Sequence, residues 1–312
     1  MQVLHTSTVL EEEIDSLGHM NVRYYMTRMQ RANRLLVDGL GIAPDVLEHS
    51  FLRSVDTYTR FRNEQFEGAT LETVGGLLSI GEGGVQSYVE IRNPDSGAVA
   101  ATFVVTTALI DRKTRNTQIL RLPTSAVSGS DIVEIPAYAK PRSLSLGPAN
   151  TDITLEVLQT SIPDVDGGGM MSGRRNALIE ADDVDAEGWL KEDVELMFLP
   201  FAKMALAEGV KPGPPVVTTS DGLRIGWAVM ETRTRLFAQP RLGDELSYFS
   251  TDLKVEAKSR LSRRWALNTN TGQLLGMSDT VGVCIDLDAR RAINWPDELR
   301  EEIEKYQQPQ LA

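Results

Sequence analysis

A chain of 312 residues that is 41% apolar and 24% charged has the composition of an ordinary globular protein, long enough for two domains of about 150 residues. The net charge of −12 argues against broad nucleic-acid or anionic-membrane binding, and no run approaches the ~18 apolar residues of a membrane span. Met1 to His5 lacks the basic and apolar regions of a signal peptide, and the one cysteine, Cys284, cannot form an intrachain disulfide, so a cytoplasmic protein with a buried inert thiol is expected.

In chain order, a short strand leads into the loop Glu13-Ile14-Asp15-Ser16-Leu17-Gly18-His19-Met20-Asn21-Val22. Val22, Tyr25, Met26, Met29, Ala32 and Leu36 then recur at helical spacing, with Gly39 and Gly41 to stop the helix. Strands are predicted near 54–64, 69–80, 84–92 and 98–111, separated by Gly68, by Gly81-Glu82-Gly83-Gly84 and by Asn93-Pro94-Asp95-Ser96-Gly97. A connector follows, rich in proline, serine and glycine, with Pro123, Pro136, Pro141 and Pro148. Asp164 and Asp166 before Gly167-Gly168-Gly169 lack the further ligands of a calcium loop, so that stretch reads as a plain loop.

The second half repeats the order. Asp183-Val184-Asp185-Ala186-Glu187-Gly188-Trp189-Leu190-Lys191-Glu192 opens a stripe of Leu190, Val194, Met197, Phe198, Phe201 and Ala205, in which Pro200 should kink the helix or mark a late start. Strands are predicted near 225–238, 244–257, 261–269 and 274–287, and Trp295-Pro296-Asp297-Glu298-Leu299 starts a short closing helix. Asp15 and Gly18 match Asp185 and Gly188 at a separation of 170. Thr59-Arg60, Gly68, Gly97 and Asp111 match Thr234-Arg235, Gly243, Gly272 and Asp286 at 175. The chain is therefore an ancestral segment copied twice. The copies differ where it matters: Trp189 stands for His19 and Lys191 for Asn21.

The pattern Asp15-x-x-Gly18-His19-Met20-Asn21-x-x-Tyr24-Tyr25 resembles the signature of hotdog-fold thioesterases of the 4-hydroxybenzoyl-CoA thioesterase type. The turns around Gly68 and Gly243 are similar to that family's strand-turn signature. The resemblance covers most of 1–120 and, more weakly, 172–290. It implies an α+β fold of two tandem hotdog domains, each an antiparallel sheet wrapped around a long helix, forming an intrachain pseudo-dimer. The expected boundaries are 1–125 for the domain with the catalytic loop, 126–165 for the connector and 166–312 for the domain with the degenerate loop. It also implies hydrolysis of an acyl-CoA to free acid and CoA, with CoA part of the substrate and no separate cofactor.

Thioester hydrolysis needs an activated water or a carboxylate nucleophile and a donor for the oxyanion. The resemblance makes Asp15 the nucleophile or general base, with the carbonyl oxygen held by backbone N–H groups at the helix start near Val22. Asp is equally a favoured N-cap residue, and Gly18, His19 and Asn21 each also admit a structural role as turn, carbonyl partner and cap. Gly18 and Tyr25 are candidates to meet the acyl group, although Tyr25 also suits the core. After the second long strand the family often places a basic, serine-containing segment against the CoA phosphates. The second copy has Lys258-Ser259-Arg260-Leu261-Ser262-Arg263-Arg264 there, where the first copy carries no positive charge, so one composite site per chain is expected. A solvated charged hairpin is the bland alternative.

His5, His49 and Cys284 do not form a metal-ligand spacing, so no metal is expected, and no Gly-x-Ser-x-Gly elbow supports a serine hydrolase. The alternatives to an acyl-CoA thioesterase are an acyl-carrier-protein thioesterase and a non-catalytic acyl-CoA sensor. A homodimer of double-hotdog chains is a further expectation.

Overall fold

Runs rich in β-branched residues, cut by glycine turns, form long antiparallel strands in both halves of the chain. The structure, a computed structural model, describes residues 1–81, 83–118, 132–164, 172–191, 194–209 and 216–312. It divides into two compact units, Met1–Arg142 and Ser143–Ala312, each taken by itself below. Glu82, Glu192, Asp193 and the parts of the connector at 126–131 and 165, with the Asp166–Gly169 loop, lie outside the described residues.

In the first unit β1 (Gln2–Thr8) precedes α1 (Val22–Asp38) and the short α2 (Pro44–His49). Then come β2 (Ser50–Phe61), β3 (Thr70–Gly81), β4 (Gly84–Arg92), β5 (Val99–Asp111) and the two-residue β6 (Thr117–Gln118), which pairs with β5. The sheet order is β1-β3-β4-β5-β2, antiparallel throughout. Met29, Ala32 and Leu36 of α1 pack on Leu77, Val85, Val89, Phe103 and Val105 of the sheet, so the helical stripe and one face of each strand form one core.

In the second unit α3 (Leu155–Ser161) and β7 (Gly173–Leu178) lead to α4 (Leu199–Glu208) and the short β8 (Val217–Thr218). The long strands are β9 (Arg224–Leu236), β10 (Glu245–Val255), β11 (Ser259–Asn268) and β12 (Leu274–Asp286), followed by β13 (Arg291–Ala292) and α5 (Asp297–Lys305). Their order, β7-β10-β11-β12-β9, repeats that of the first unit strand for strand.

Of the two outcomes expected at Pro200, a kink or a late start, the structure shows the late start, and one further element was not expected. The second helix starts late: residues 196–198 form a 3-10 turn and Pro200 lies in the first turn of α4, where its missing N–H costs no helical hydrogen bond. It has 10 residues against 17 in α1. The stretch expected to be a plain connector holds α3, capped by Thr154 and packed through Leu158 and Ile162 on Phe249 and Trp265. Among the described residues no helix is long and apolar enough to cross a membrane.

Candidate active site

The Asp15 loop is held closed by its own backbone. The N–H of Asp15 donates to His19 O (3.0 Å), Gly18 N–H to Asp15 O (3.1 Å) and Asn21 N–H to Glu13 O (2.9 Å). Gly18 adopts φ +80°, and a Cβ there would meet nothing within 4 Å, so the turn requires glycine for its backbone conformation and not for space. From outside the loop, Met20 N–H donates to Gln65 O (2.7 Å), which pins it to the turn after β2. Arg28 of α1 fixes the other end. Its guanidinium donates to both oxygens of Glu13 (3.0 and 2.7 Å), to Ser7 Oγ (2.9 Å) and to Thr8 O (3.1 Å).

Within this frame the Asp15 carboxylate is buried. Oδ1 accepts the Leu17 N–H (2.9 Å), while Oδ2 lies 3.4 Å from the Asn21 amide nitrogen and 3.8 Å from His19 Nδ1. His19 Nε2 is 3.6 Å from Glu64 Oε1, so the imidazole sits between two carboxylates. Asn21 is the N-cap of α1: its side-chain oxygen accepts the Arg23 N–H (3.0 Å) while its amide faces Asp15. The capping and site readings of Asn21 are therefore compatible. Val22 is the first helical residue and is exposed, and an α-helix has no acceptor for an N–H at that position. Asp15, His19, Asn21, Gly18 and Val22 are thus brought together by one loop and one helix start.

Tyr25 is buried one turn into α1, edge-on to Phe61 with ring centroids 5.6 Å apart. Its hydroxyl is 3.4 Å from Asn63 O, and burial pushes the phenol pKa well above its usual value. It is a core residue beside the site. Glu64 was not singled out from the sequence as a site residue. Nothing in its spacing marks it, because the Met20–Gln65 hydrogen bond brings it to His19.

The second loop has the same skeleton without the same chemistry. Asp185 N–H donates to Trp189 O (2.8 Å), Gly188 N–H to Asp185 O (3.0 Å) and Lys191 N–H to Asp183 O (3.0 Å), bond for bond as in the first loop. Asp185 itself is exposed, and its Oδ1 is taken by the N–H groups of Glu187 (2.9 Å) and Trp189 (3.0 Å). Trp189 is buried where His19 would stand, and α4 begins eight residues after Lys191. Among the described residues, therefore, no helix begins directly after the Asp185 loop as α1 does after the Asp15 loop.

The basic segment divides by strand alternation. Lys258 is exposed and donates to Ala292 O (3.3 Å), and Ser259 Oγ donates to Glu256 Oε2 (3.0 Å). Arg260 does not reach the surface. It is 2% exposed, 3.6 Å from the equally buried Asp252, with its guanidinium 5.1 and 5.4 Å from the rings of Trp227 and Trp295. The expectation that Arg260 meets a phosphate at an open site is corrected on that ground. Arg263 points to the other face and pairs with Asp279 (2.5 Å). Among the described residues no group of three or more His, Cys, Asp or Glu is arranged to hold a metal.

Residues 9–142, the unit that carries Asp15, match the family described as the Thioesterase-like superfamily. Two solved structures share the α+β fold over most of the chain. The 12:0-ACP thioesterase from Umbellularia californica is 10% identical and matches with a TM-score of 0.64 over 90% of this chain and 93% of that one. An acyl-ACP thioesterase from Bacteroides thetaiotaomicron, also 10% identical, matches at 0.57 over 89% and 96%. At these identities the likeness is one of hotdog fold. No curated protein sequence matches the chain.

Proposed function

We propose that the protein is a thioesterase that hydrolyses an acyl thioester to a free acid and a thiol, with a single working centre at Asp15. The observation that carries this reading is the Asp15 carboxylate, buried in a loop that opens directly onto the N-terminus of α1. A thioester carbonyl oxygen accepting the Val22 N–H would have its developing negative charge stabilised by the helix start. Asp15 then removes a proton from water, whose oxygen attacks the carbonyl carbon. The C–S bond breaks and the departing thiolate takes up the proton. Alternatively, Asp15 attacks the carbonyl carbon itself, the C–S bond breaks and the thiolate leaves. Water then cleaves the resulting anhydride to the free acid and the Asp15 carboxylate, its proton passing to the thiolate. Asn21 and His19 orient the carboxylate in either route. The chemistry calls for no resident cofactor.

The shared strand order and the bond-for-bond repetition of the two loops support a tandem double hotdog. The motif Asp15-Gly18-His19-Asn21 supports kinship with the 4-hydroxybenzoyl-CoA type and hence CoA as the carrier, with the exposed Lys258 as a phosphate contact. A second reading, an acyl-carrier-protein substrate, is favoured by the two whole-chain structural matches, both named as ACP thioesterases. Thiol release from matched acyl-CoA and acyl-carrier-protein substrates separates the two. Faster turnover of acyl-CoA, with a raised KM in Lys258→Ala, supports the first. Turnover of the carrier-protein substrate alone supports the second, and tight acyl-CoA binding without thiol release from either contradicts hydrolysis.

A further inference from the structure

The second unit keeps an apolar core on its helix side but carries charged residues at several positions that are apolar in the first. Asn93 and Asn268 make the same turn after β4 and β11, each accepting two backbone N–H groups, which aligns the strands at a separation of 175. Val85 and Val89, buried against α1 in the first unit, correspond to Arg260 and Arg264. Leu77 corresponds to Asp252, and His5 of β1 to Arg175 of β7. Arg264 shares its face of β11 with Ala266, and Arg175 its face of β7 with Ala177, both of which pack with Met197 and Leu199 on the helix side. Three guanidinium groups therefore occupy an inner face with one carboxylate, Asp252, among them.

These charges are poorly compensated. Arg264 stacks on Phe198 and Phe201 (4.7 and 4.6 Å to the ring centres) and Arg175 on Phe201 (4.7 Å), yet neither pairs with an acid among the described residues. Stacking covers the face of a guanidinium and leaves its N–H edge open. Burial, together with Arg260 and Arg175, lowers the Arg264 pKa to about 10, so it stays charged at neutral pH. Deeper in, Arg260 Nη2, Asp252 Oδ1 and Trp295 Nε1 are buried with no hydrogen-bond partner. Buried cations are paired as a rule, and Arg260 has Asp252 for this; Arg264 and Arg175 are half-buried and have no acid beside them among the described residues.

We propose that this inner face of the second unit binds an organic carboxylate, received by Arg264 and Arg175 and walled by Phe198 and Phe201. A carboxylate fits because its two oxygens match the guanidinium fork, and an attached apolar body suits the aromatic walls. The residues of this site all belong to the second unit, and its occupation does not depend on hydrolysis. If the proposed function holds, a carboxylic acid is also the class of product the enzyme releases.

The test is titration of the full-length protein with octanoate, benzoate and inorganic phosphate, followed by calorimetry and by tryptophan fluorescence. All four tryptophans lie at 189 or beyond, so the fluorescence reports on the second unit. Octanoate or benzoate should bind saturably, Arg264→Met should weaken binding about tenfold or more, and Arg264→Lys should fall between. Arg175→Met is the second variant, with circular dichroism to check folding. Asp15→Asn should bind as the wild type does, so a failed thioesterase reading leaves this result standing. Binding of neither carboxylate, binding indifferent to both arginine variants, or binding of phosphate alone would overturn the proposal.

Discussion

Removing Arg28 should destabilise the first unit far more than removing Lys203, its repeat counterpart, destabilises the second. Arg28 and Glu13 are 7% and 11% exposed at their side chains, and Arg28→Met would leave the Glu13 carboxylate buried with the Leu10 N–H (3.1 Å) as its remaining donor of the set. Breaking such a buried pair from one side costs about 3–5 kcal/mol. Lys203 is 26% exposed and 2.7 Å from Asp183, so water takes over much of its role, and Lys203→Met should cost less than about 1 kcal/mol. Urea denaturation separates the two. With no tryptophan in the first unit, far-UV circular dichroism follows Arg28→Met and tryptophan fluorescence follows Lys203→Met. A double variant, Arg28→Met with Glu13→Leu, should recover part of the loss because no buried carboxylate is left unpaired. Equal costs for the two single variants, or a cost below about 1 kcal/mol for Arg28→Met, would refute the reasoning.

Two further outcomes follow from local geometry. Gly84→Ala should cost about 2 kcal/mol or more, since φ is +123° and the added Cβ would lie 2.2 Å from Thr107 O; Gly83→Ala, with nothing within 4 Å, should be near neutral by the same denaturation assay. His5 has its pKa held below 6.5 chiefly by burial, with Arg31 and Arg28 adding to the shift. Below that pH the unfolded chain binds a proton that the folded one resists, so stability falls as pH drops through 6.5. The urea midpoint of the wild type should therefore decline more steeply between about pH 7 and 5 than that of His5→Gln, and parallel declines would contradict the assignment.

The strands were legible because glycines mark their ends. Gly68, Gly97, Gly243 and Gly272 all have positive φ, a conformation their turns demand. The matching strand order of the two units was legible from the same positions, and the Asp15 and Asp185 loops share their backbone hydrogen bonds. Asp15, Gly18 and Asn21 could be placed from the sequence because they are local to one turn and one helix start. Glu64 could not, since a long-range backbone bond delivers it. The misreading of Arg260 has a similar origin. Lys258-Ser259-Arg260-Leu261-Ser262-Arg263-Arg264 looks like a solvated run, but a strand sends alternate residues to opposite faces. Which face is inner depends on the whole sheet. α3 escaped notice because it is only seven residues long and buries a single side chain, Leu158, too little for a helical stripe to show in the sequence.

If the proposed function holds, the Asp15 loop performs thioester hydrolysis and the matching Asp185 loop does not. The most direct measurement is thiol release, with short, medium, long and aromatic acyl thioesters, by the wild type, Asp15→Asn and Asp185→Asn. The account predicts turnover by the wild type, a fall of about a hundredfold or more in kcat for Asp15→Asn, and little change for Asp185→Asn. Full activity in Asp15→Asn, or its loss in Asp185→Asn alone, would contradict it.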